Sequence, residues 1–129
     1  MMTGSTLEQV LVLLVVFQVK HYLADFPLQR EYMLRKTLAS WAFFVPLFVH
    51  CVVHATFTLA ICLVVNPSLW WLSLVDFVTH FTMDRIKAGP RYLGRFNDMS
   101  KPSYWNCFGF DQMVHHLTHY FMIWVLVTR

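Results

Sequence analysis

The chain has 129 residues, of which 57% are hydrophobic and 13% charged, too few charges for the surface of an average water-soluble domain. Its formal net charge of +3 is too small to indicate a nucleic-acid-binding protein, so we expect no nucleic acid partner. The length suits one compact domain, which we assign to residues 1–129.

Four apolar segments predict four membrane-spanning helices, because a helix needs about 20 apolar residues to cross a bilayer. These helices are expected at about residues 7–23, 46–65, 67–86 and 108–128. Pro46 interrupts the second segment, so residues 38–45, which are rich in aromatic side chains, are interpreted as an interfacial lead-in before helix two. The predicted fold is therefore an all-α integral membrane four-helix bundle, with the lipid bilayer as its surroundings.

Two basic loops, residues 27–37 and 87–107, join the first helix to the second and the third to the fourth. In a four-pass chain both loops fall on the same side of the membrane. The positive-inside rule places that side in the cytoplasm. We therefore expect a multi-pass membrane protein with both basic loops in the cytoplasm. A unit of four helices is also small enough that a homodimer is considered.

Each apolar segment carries ionisable residues four positions apart, so that each predicted helix presents one polar stripe on a single face. Consecutive passes run antiparallel, which brings all four stripes toward the same membrane face. Scattered polar residues would have no reason to share one depth. The stripes are His21 and Asp25; His50 and His54; Asp76, His80 and Asp84; and Asp111, His115 and His119.

Burying this many ionisable groups in a bilayer is costly, and a divalent cation is one partner that would compensate them. Aspartate and imidazole suit Zn²⁺, Mn²⁺ or Fe²⁺, and we expect one or two ions. The alternative is a metal-free polar network. The predicted ligands are His50, His54, Asp76, His80, Asp84, Asp111, His115 and His119.

Two further groups of residues are assigned roles next to the ions. His21 and Asp25 are predicted to act as an acid–base pair or to complete a second ion. Four basic residues just outside the stripes could hold a substrate phosphate, although anchoring to anionic lipid headgroups explains them equally well. These are Arg85, Lys87, Arg91 and Arg95.

The runs HYLADFPLQREYM, PLFVHCVVHA, DFVTHFTMDRIK and GFDQMVHHLTH resemble a family of small phage and bacterial membrane proteins, domain of unknown function 3307. The resemblance covers nearly the whole chain, and its most specific parts are H-x-x-x-D-F-x-L-Q and D-Q-x-x-H. It implies a helical domain of the bacterial inner (cytoplasmic) membrane, with phage encoding as one origin. It maps the shared polar positions onto His21, Asp25, His50, His54, His80, Asp84, Asp111 and His115. A more distant likeness, to inner-membrane metal-dependent hydrolases, rests on H-x-x-x-D and H-x-x-x-H pairs in apolar helices.

The leading hypothesis is a membrane-embedded metal-dependent hydrolase whose site opens at the cytoplasmic face and accepts a phosphorylated lipid or a nucleotide. One alternative is a di-iron oxidative enzyme, because H-x-x-x-H and H-H-x-x-H resemble histidine boxes. A second is a proton or metal transporter, although the far half of each predicted helix is apolar and favours a closed pocket. A third is a non-enzymatic phage effector that binds a host membrane protein.

Overall fold

The computed structural model describes residues 4–38 and 40–129 of the chain. These residues form four α-helices, Thr6–Asp25 (α1), Phe44–Val65 (α2), Leu72–Ala88 (α3) and Pro102–Thr128 (α4). Four short 3-10 helices lie between them, at Glu31–Thr37, Trp41–Phe43, Pro67–Leu69 and Leu93–Arg95. Since the described part of the chain contains no strand, the predicted all-α fold is confirmed.

Local sequence signals set the ends of the helices. Ser5 begins α1 with a reciprocal cap, in which its hydroxyl accepts from the Glu8 backbone N–H and the Glu8 carboxylate accepts from the Ser5 N–H. In α4, Pro102 stands in the first turn, where a backbone N–H has no partner within the helix. Consequently α4 begins at Pro102, well before the expected residue 108.

The region around Pro46 differs from the expected lead-in. The helix α2 begins at Phe44, so that Pro46 is its third residue. Because the first four N–H groups of a helix have no partner within it, proline removes no hydrogen bond there. The lead-in is reduced to the 3-10 helix Trp41–Phe43. After α2, the 3-10 helix Pro67–Leu69 comes first, so that α3 starts at Leu72 and not at the expected residue 67.

The four α-helices pack in a ring in which each contacts the next and α4 closes against α1. Asp25, at the end of α1, lies beside His50 in the first half of α2, so consecutive helices run antiparallel. One half of the interior is an apolar core that includes Leu13, Phe17 and Met122. The other half is lined by histidine and aspartate side chains.

The outer surface of the ring is apolar, with exposed large side chains on every α-helix, such as Val15, Val52, Val78 and Trp124. By length and composition alone, two segments among the described residues could cross a membrane: Thr6–Asp25, with a mean hydropathy of 1.4, and Trp41–Val65, with 2.2. These segments support association with a membrane. The expected four passes, and the cytoplasmic side of the basic loops, stay predictions.

One ion pair is buried where the apolar and polar halves of the interior meet. Lys20 Nζ lies 2.7 Å from Asp76 Oδ2, and each side chain is only 2% exposed. The Thr58 hydroxyl donates to the same carboxylate oxygen over 2.6 Å. The three residues come from α1, α3 and α2, so the pair ties three helices together. Removing one partner of such a pair strands a charge, whereas replacing both by apolar residues is often neutral.

We expect Lys20→Met to lower the free energy of unfolding by about 3–5 kcal/mol, because Asp76 is left unpaired in the interior. The double variant Lys20→Met/Asp76→Leu is expected to recover most of that loss. Unfolding in detergent, followed by circular dichroism, measures both. Lys101→Met is the matched control, because Lys101 is 69% exposed and should leave the unfolding midpoint unchanged. A double variant as unstable as the single one would contradict this account.

Candidate metal centre

Histidine and aspartate side chains from all four α-helices meet in the polar half of the interior. They come from the last turn of α1, the first half of α2, the last part of α3 and the first half of α4. This end-to-end alternation follows from the antiparallel order of the helices. The residues brought together are His21, Asp25, His50, His54, His80, Asp84, Asp111 and His115.

Asp25 connects α1 to α2. Its Oδ1 lies 2.7 Å from His54 Nε2, with which it forms a hydrogen bond, and 3.4 Å from His50 Nε2. Its other carboxylate oxygen, Oδ2, lies 3.1 Å from Nε2 of His21, four residues earlier in the same helix. One carboxylate is therefore surrounded by three imidazole rings.

Asp84 occupies the corresponding place between α2, α3 and α4. Its Oδ2 lies 3.3 Å from His50 Nε2 and 3.7 Å from His80 Nε2. Its Oδ1 lies 3.6 Å from His115 Nε2. The separations involving His80 and His115 exceed a hydrogen bond but suit two ligands of one ion, which lie roughly 3–4 Å apart.

His80 is the centre of the cluster. Its ring stacks on that of His54, with the centroids 3.7 Å apart, and lies 4.1 Å from the ring of His115. The side chain is 1% exposed. Stacked imidazole rings place their ring nitrogens close together, which is favourable only if the nitrogens share a partner or stay neutral.

Two groups of donor atoms could each hold an ion: Asp25, His50, His54 and His80 form the first, and His80, Asp84 and His115 form the second. Within each group the donor atoms lie within 4.8 Å of one another. Two ligands bound about 2.0–2.2 Å from one ion are at most about 4.4 Å apart, so a group would close by small side-chain shifts. His80 belongs to both groups.

Unpartnered nitrogen atoms give an independent test of whether the residues fit a metal. Both ring nitrogens of His50, His80 and His119, and Nε2 of His115, are buried without a hydrogen-bond partner among the described residues, and of these four only His119 lies outside the donor groups. A buried polar atom that lacks a partner is costly. A divalent cation accepts the lone pairs of neutral imidazoles and the charge of the carboxylates at once, so the donor set fits a metal ion.

Asp111 supports the cluster from α4. Its backbone carbonyl accepts a hydrogen bond of 2.8 Å from His115 Nδ1, which leaves His115 Nε2 free to face Asp84. In many proteins, a hydrogen bond from the ring nitrogen that does not bind the metal orients the histidine in this way. The Asp111 carboxylate lies 3.0 Å from Lys87 Nζ and accepts a hydrogen bond from Gln112.

Two of the predicted ligands, Asp76 and His119, lie outside both donor groups. Asp76 is held by Lys20 and Thr58 and belongs to neither donor group. His119 packs its ring against those of Phe17 and His21, with centroids 5.2 and 5.6 Å away, and also lies outside both groups. In the structure these two side chains border the apolar core.

Of the four basic residues predicted to bind phosphate, only Lys87 lies beside the cluster. Arg85 is stacked on the ring of Phe43 at 3.6 Å and donates to a loop carbonyl. Arg95 lies over the ring of Phe96. Arg91 borders a separate surface cavity formed with Trp41, Tyr92 and their neighbours.

Three residues that the sequence analysis did not single out also contact the cluster or its border. Lys36 Nζ lies 3.0 Å from Asp84 Oδ2, Gln112 lies 3.3 Å from His21, and Lys20 holds Asp76. Only Lys20 carries a sequence signal, since it falls three residues after Phe17 and one before His21, on the buried face of α1. Lys36 belongs to a loop whose folding the helical pattern does not describe.

A family model described as a protein of unknown function, DUF3307, matches residues 12–129. Comparison with curated proteins gave no match, and comparison with solved structures gave none either.

Proposed function

The chain belongs to the DUF3307 family, whose description assigns no activity, and from its buried histidine–aspartate cluster we propose that it is a membrane-embedded, divalent-metal-dependent hydrolase. The observation that carries the proposal is the pair of donor groups joined at His80, together with the unpartnered imidazole nitrogens around it. Zn²⁺, Mn²⁺ and Fe²⁺ are the ions that such nitrogen and carboxylate donors suit best. A bound ion of this kind makes water nucleophilic near neutral pH and polarises the bond to be broken.

His21 supports an acid–base role beside the donor groups. It lies outside both groups, yet its Nε2 is 3.1 Å from the Asp25 carboxylate and 3.3 Å from Gln112. The same side chain lines a cavity that reaches the cluster. A histidine held by a carboxylate can take a proton from water and return it to a leaving group. Asp25, assigned to this pair by the sequence, would both orient His21 and contribute to the first donor group.

The location of the site favours a pocket over a transport path. A transporter needs polar groups that continue to both membrane faces. Here the buried ionisable side chains stop at the Lys20–Asp76 pair, and the interior beyond is packed by Leu13, Phe17 and Met122. The apolar outer surface supports a position within the bilayer, with the cluster near the side of the two basic loops.

Elemental analysis of the detergent-purified protein tests the metal centre. We expect one or two divalent ions per chain. His80 belongs to both groups, but its neutral imidazole has one lone pair and binds one ion at a time. His80→Ala should therefore lose the ion that His80 binds, whereas loss of that ion in His54→Ala indicates the first group and its loss in His115→Ala indicates the second. His116→Ala is the control, since His116 bonds to Gln18 outside both groups.

A wild-type protein that is folded and metal-free would contradict the proposal, as would equal metal content in the wild type and His80→Ala. Iron with a visible absorbance that responds to oxygen would instead favour the oxidative alternative.

Removal of the metal should lower thermal stability. A ligand that binds only the folded state stabilises it by about 2.7 kcal/mol at a free concentration of 100 times its Kd. We therefore expect a chelator to lower the Tm of the wild type and added metal to restore it, as followed by circular dichroism. His80→Ala should respond less to the chelator. Equal shifts in both proteins would show that the chelator acts elsewhere.

His21→Gln separates acid–base chemistry from metal binding. We expect this variant to keep its metal but to hydrolyse p-nitrophenyl phosphate mono- and diesters about 10²–10⁴-fold more slowly than the wild type. Metal content is measured in the same samples, and His116→Ala serves as the control. Unchanged turnover in His21→Gln would remove this residue from the mechanism. If the wild type turned over the substrate no faster than His80→Ala, the hydrolase itself would be contradicted.

A further inference from the structure

A cavity of about 310 Å³ lies against the metal centre and connects it to the outside. Its floor includes His21, Asp25, Asp84 and His115 from the cluster itself. The ammonium groups of Lys36 and Lys87 stand at its wall, as do three large apolar side chains, Phe26, Leu34 and Phe108. The cavity thus combines a charged floor with an apolar rim.

Both lysines line the cavity, and each is held there by a carboxylate. The Lys36 side chain is 15% exposed, and its Nζ lies 3.0 Å from Asp84 and 2.9 Å from Gln29 Oε1. The Lys87 side chain is 38% exposed and lies 3.0 Å from Asp111. Lys101, by contrast, is 69% exposed and lines none of this cavity.

The charges around the cavity define what it can accept. Without a metal, two ammonium groups face three carboxylates, those of Asp25, Asp84 and Asp111. A single divalent ion on these carboxylates reverses the sign of the sum. The metal-loaded centre then carries about one negative charge against the two ammonium groups, which leaves about one net positive charge in the cavity. Confined positive charge of this kind favours an anion.

Resting on the proposed function, we propose that this cavity binds a phosphate group carried on an apolar chain, with Lys36 and Lys87 holding the phosphate oxygens beside the metal centre. Lysine presents a compact charge with three N–H donors, which suits the oxygens of a phosphate. Two such groups at one wall, opposite the metal donors, would place the phosphorus next to the water-activating site.

The rim indicates the apolar chain. Phe26 is 67% exposed, Leu34 52% and Phe108 40%, and they continue into the apolar outer surface. A phosphate in the cavity would leave its ester oxygen directed toward this rim. A membrane lipid with a terminal phosphate matches both parts, whereas inorganic phosphate contacts only the lysines.

Binding measurements on the full, metal-loaded chain in detergent micelles test this assignment without relying on turnover. The probes are phosphatidic acid, inorganic phosphate and phosphatidylcholine. We expect Lys36→Met/Lys87→Met to weaken phosphatidic acid binding about 100-fold, because two charge-assisted hydrogen bonds are lost. Phe26→Ser should weaken binding of phosphatidic acid but not of inorganic phosphate. Lys101→Met should bind all probes as the wild type does, and metal content is measured in every variant.

Several outcomes would overturn the assignment: wild-type affinity in the double lysine variant, an equal loss in Lys101→Met, or equal affinity for phosphatidylcholine. Tighter binding of inorganic phosphate than of phosphatidic acid, with no effect of Phe26→Ser, would overturn the apolar chain. Failure of the proposed function is distinguishable, since a metal-loaded protein that binds phosphatidic acid through both lysines but hydrolyses no phosphate ester would contradict the hydrolase and leave this inference standing. If this inference alone fails, the wild type will bind metal and turn over substrate, but its affinity for phosphatidic acid will not depend on the two lysines.

Discussion

Two carboxylates, those of Asp25 and Asp84, hold the polar half of the interior together. Each lies within 3.7 Å of imidazole rings from helices other than its own, so together they connect all four α-helices. Inside a ring whose exterior is apolar, a carboxylate or an imidazole without a partner is costly. The depth of one helix relative to the next is therefore constrained by this chemistry, since sliding a helix by one turn would separate the donors.

The interior has two halves with different tasks. The half around Leu13, Phe17 and Met122 is an ordinary apolar core, which stabilises the packing by dispersion and burial. The half around His80 is polar instead, and both ring nitrogens of His80 are buried without a hydrogen-bond partner among the described residues. The Lys20–Asp76 pair stands at the boundary and satisfies its own charges internally. This division keeps the reactive groups at one end, within reach of the cavity and the loops.

Spacing alone was sufficient to anticipate much of this arrangement. Pairs such as His50 and His54 share a helix face, and antiparallel order then brings such pairs to one depth. Spacing could not distinguish Asp76 from Asp84 as a ligand, because both lie on the same face of α3. Only the position of Lys20 shows that Asp76 forms an ion pair with Lys20 instead of joining the cluster. Lys36 was not predictable as a neighbour of Asp84, since a 3-10 segment reaches α3 through tertiary packing. The early start of α4 reflects Pro102, a signal outside the apolar run.

The way His80 is shared has a consequence for biosynthesis. The donor group of Asp25, His50, His54 and His80 is contained in α1, α2 and α3, whereas the group of His80, Asp84 and His115 also needs α4. Chains grow from the N-terminus, so the first group is complete while α4 is still being made. The donor atoms are thus assembled in order: the three earlier helices complete the first group, and α4 then adds the His115 ring that completes the second.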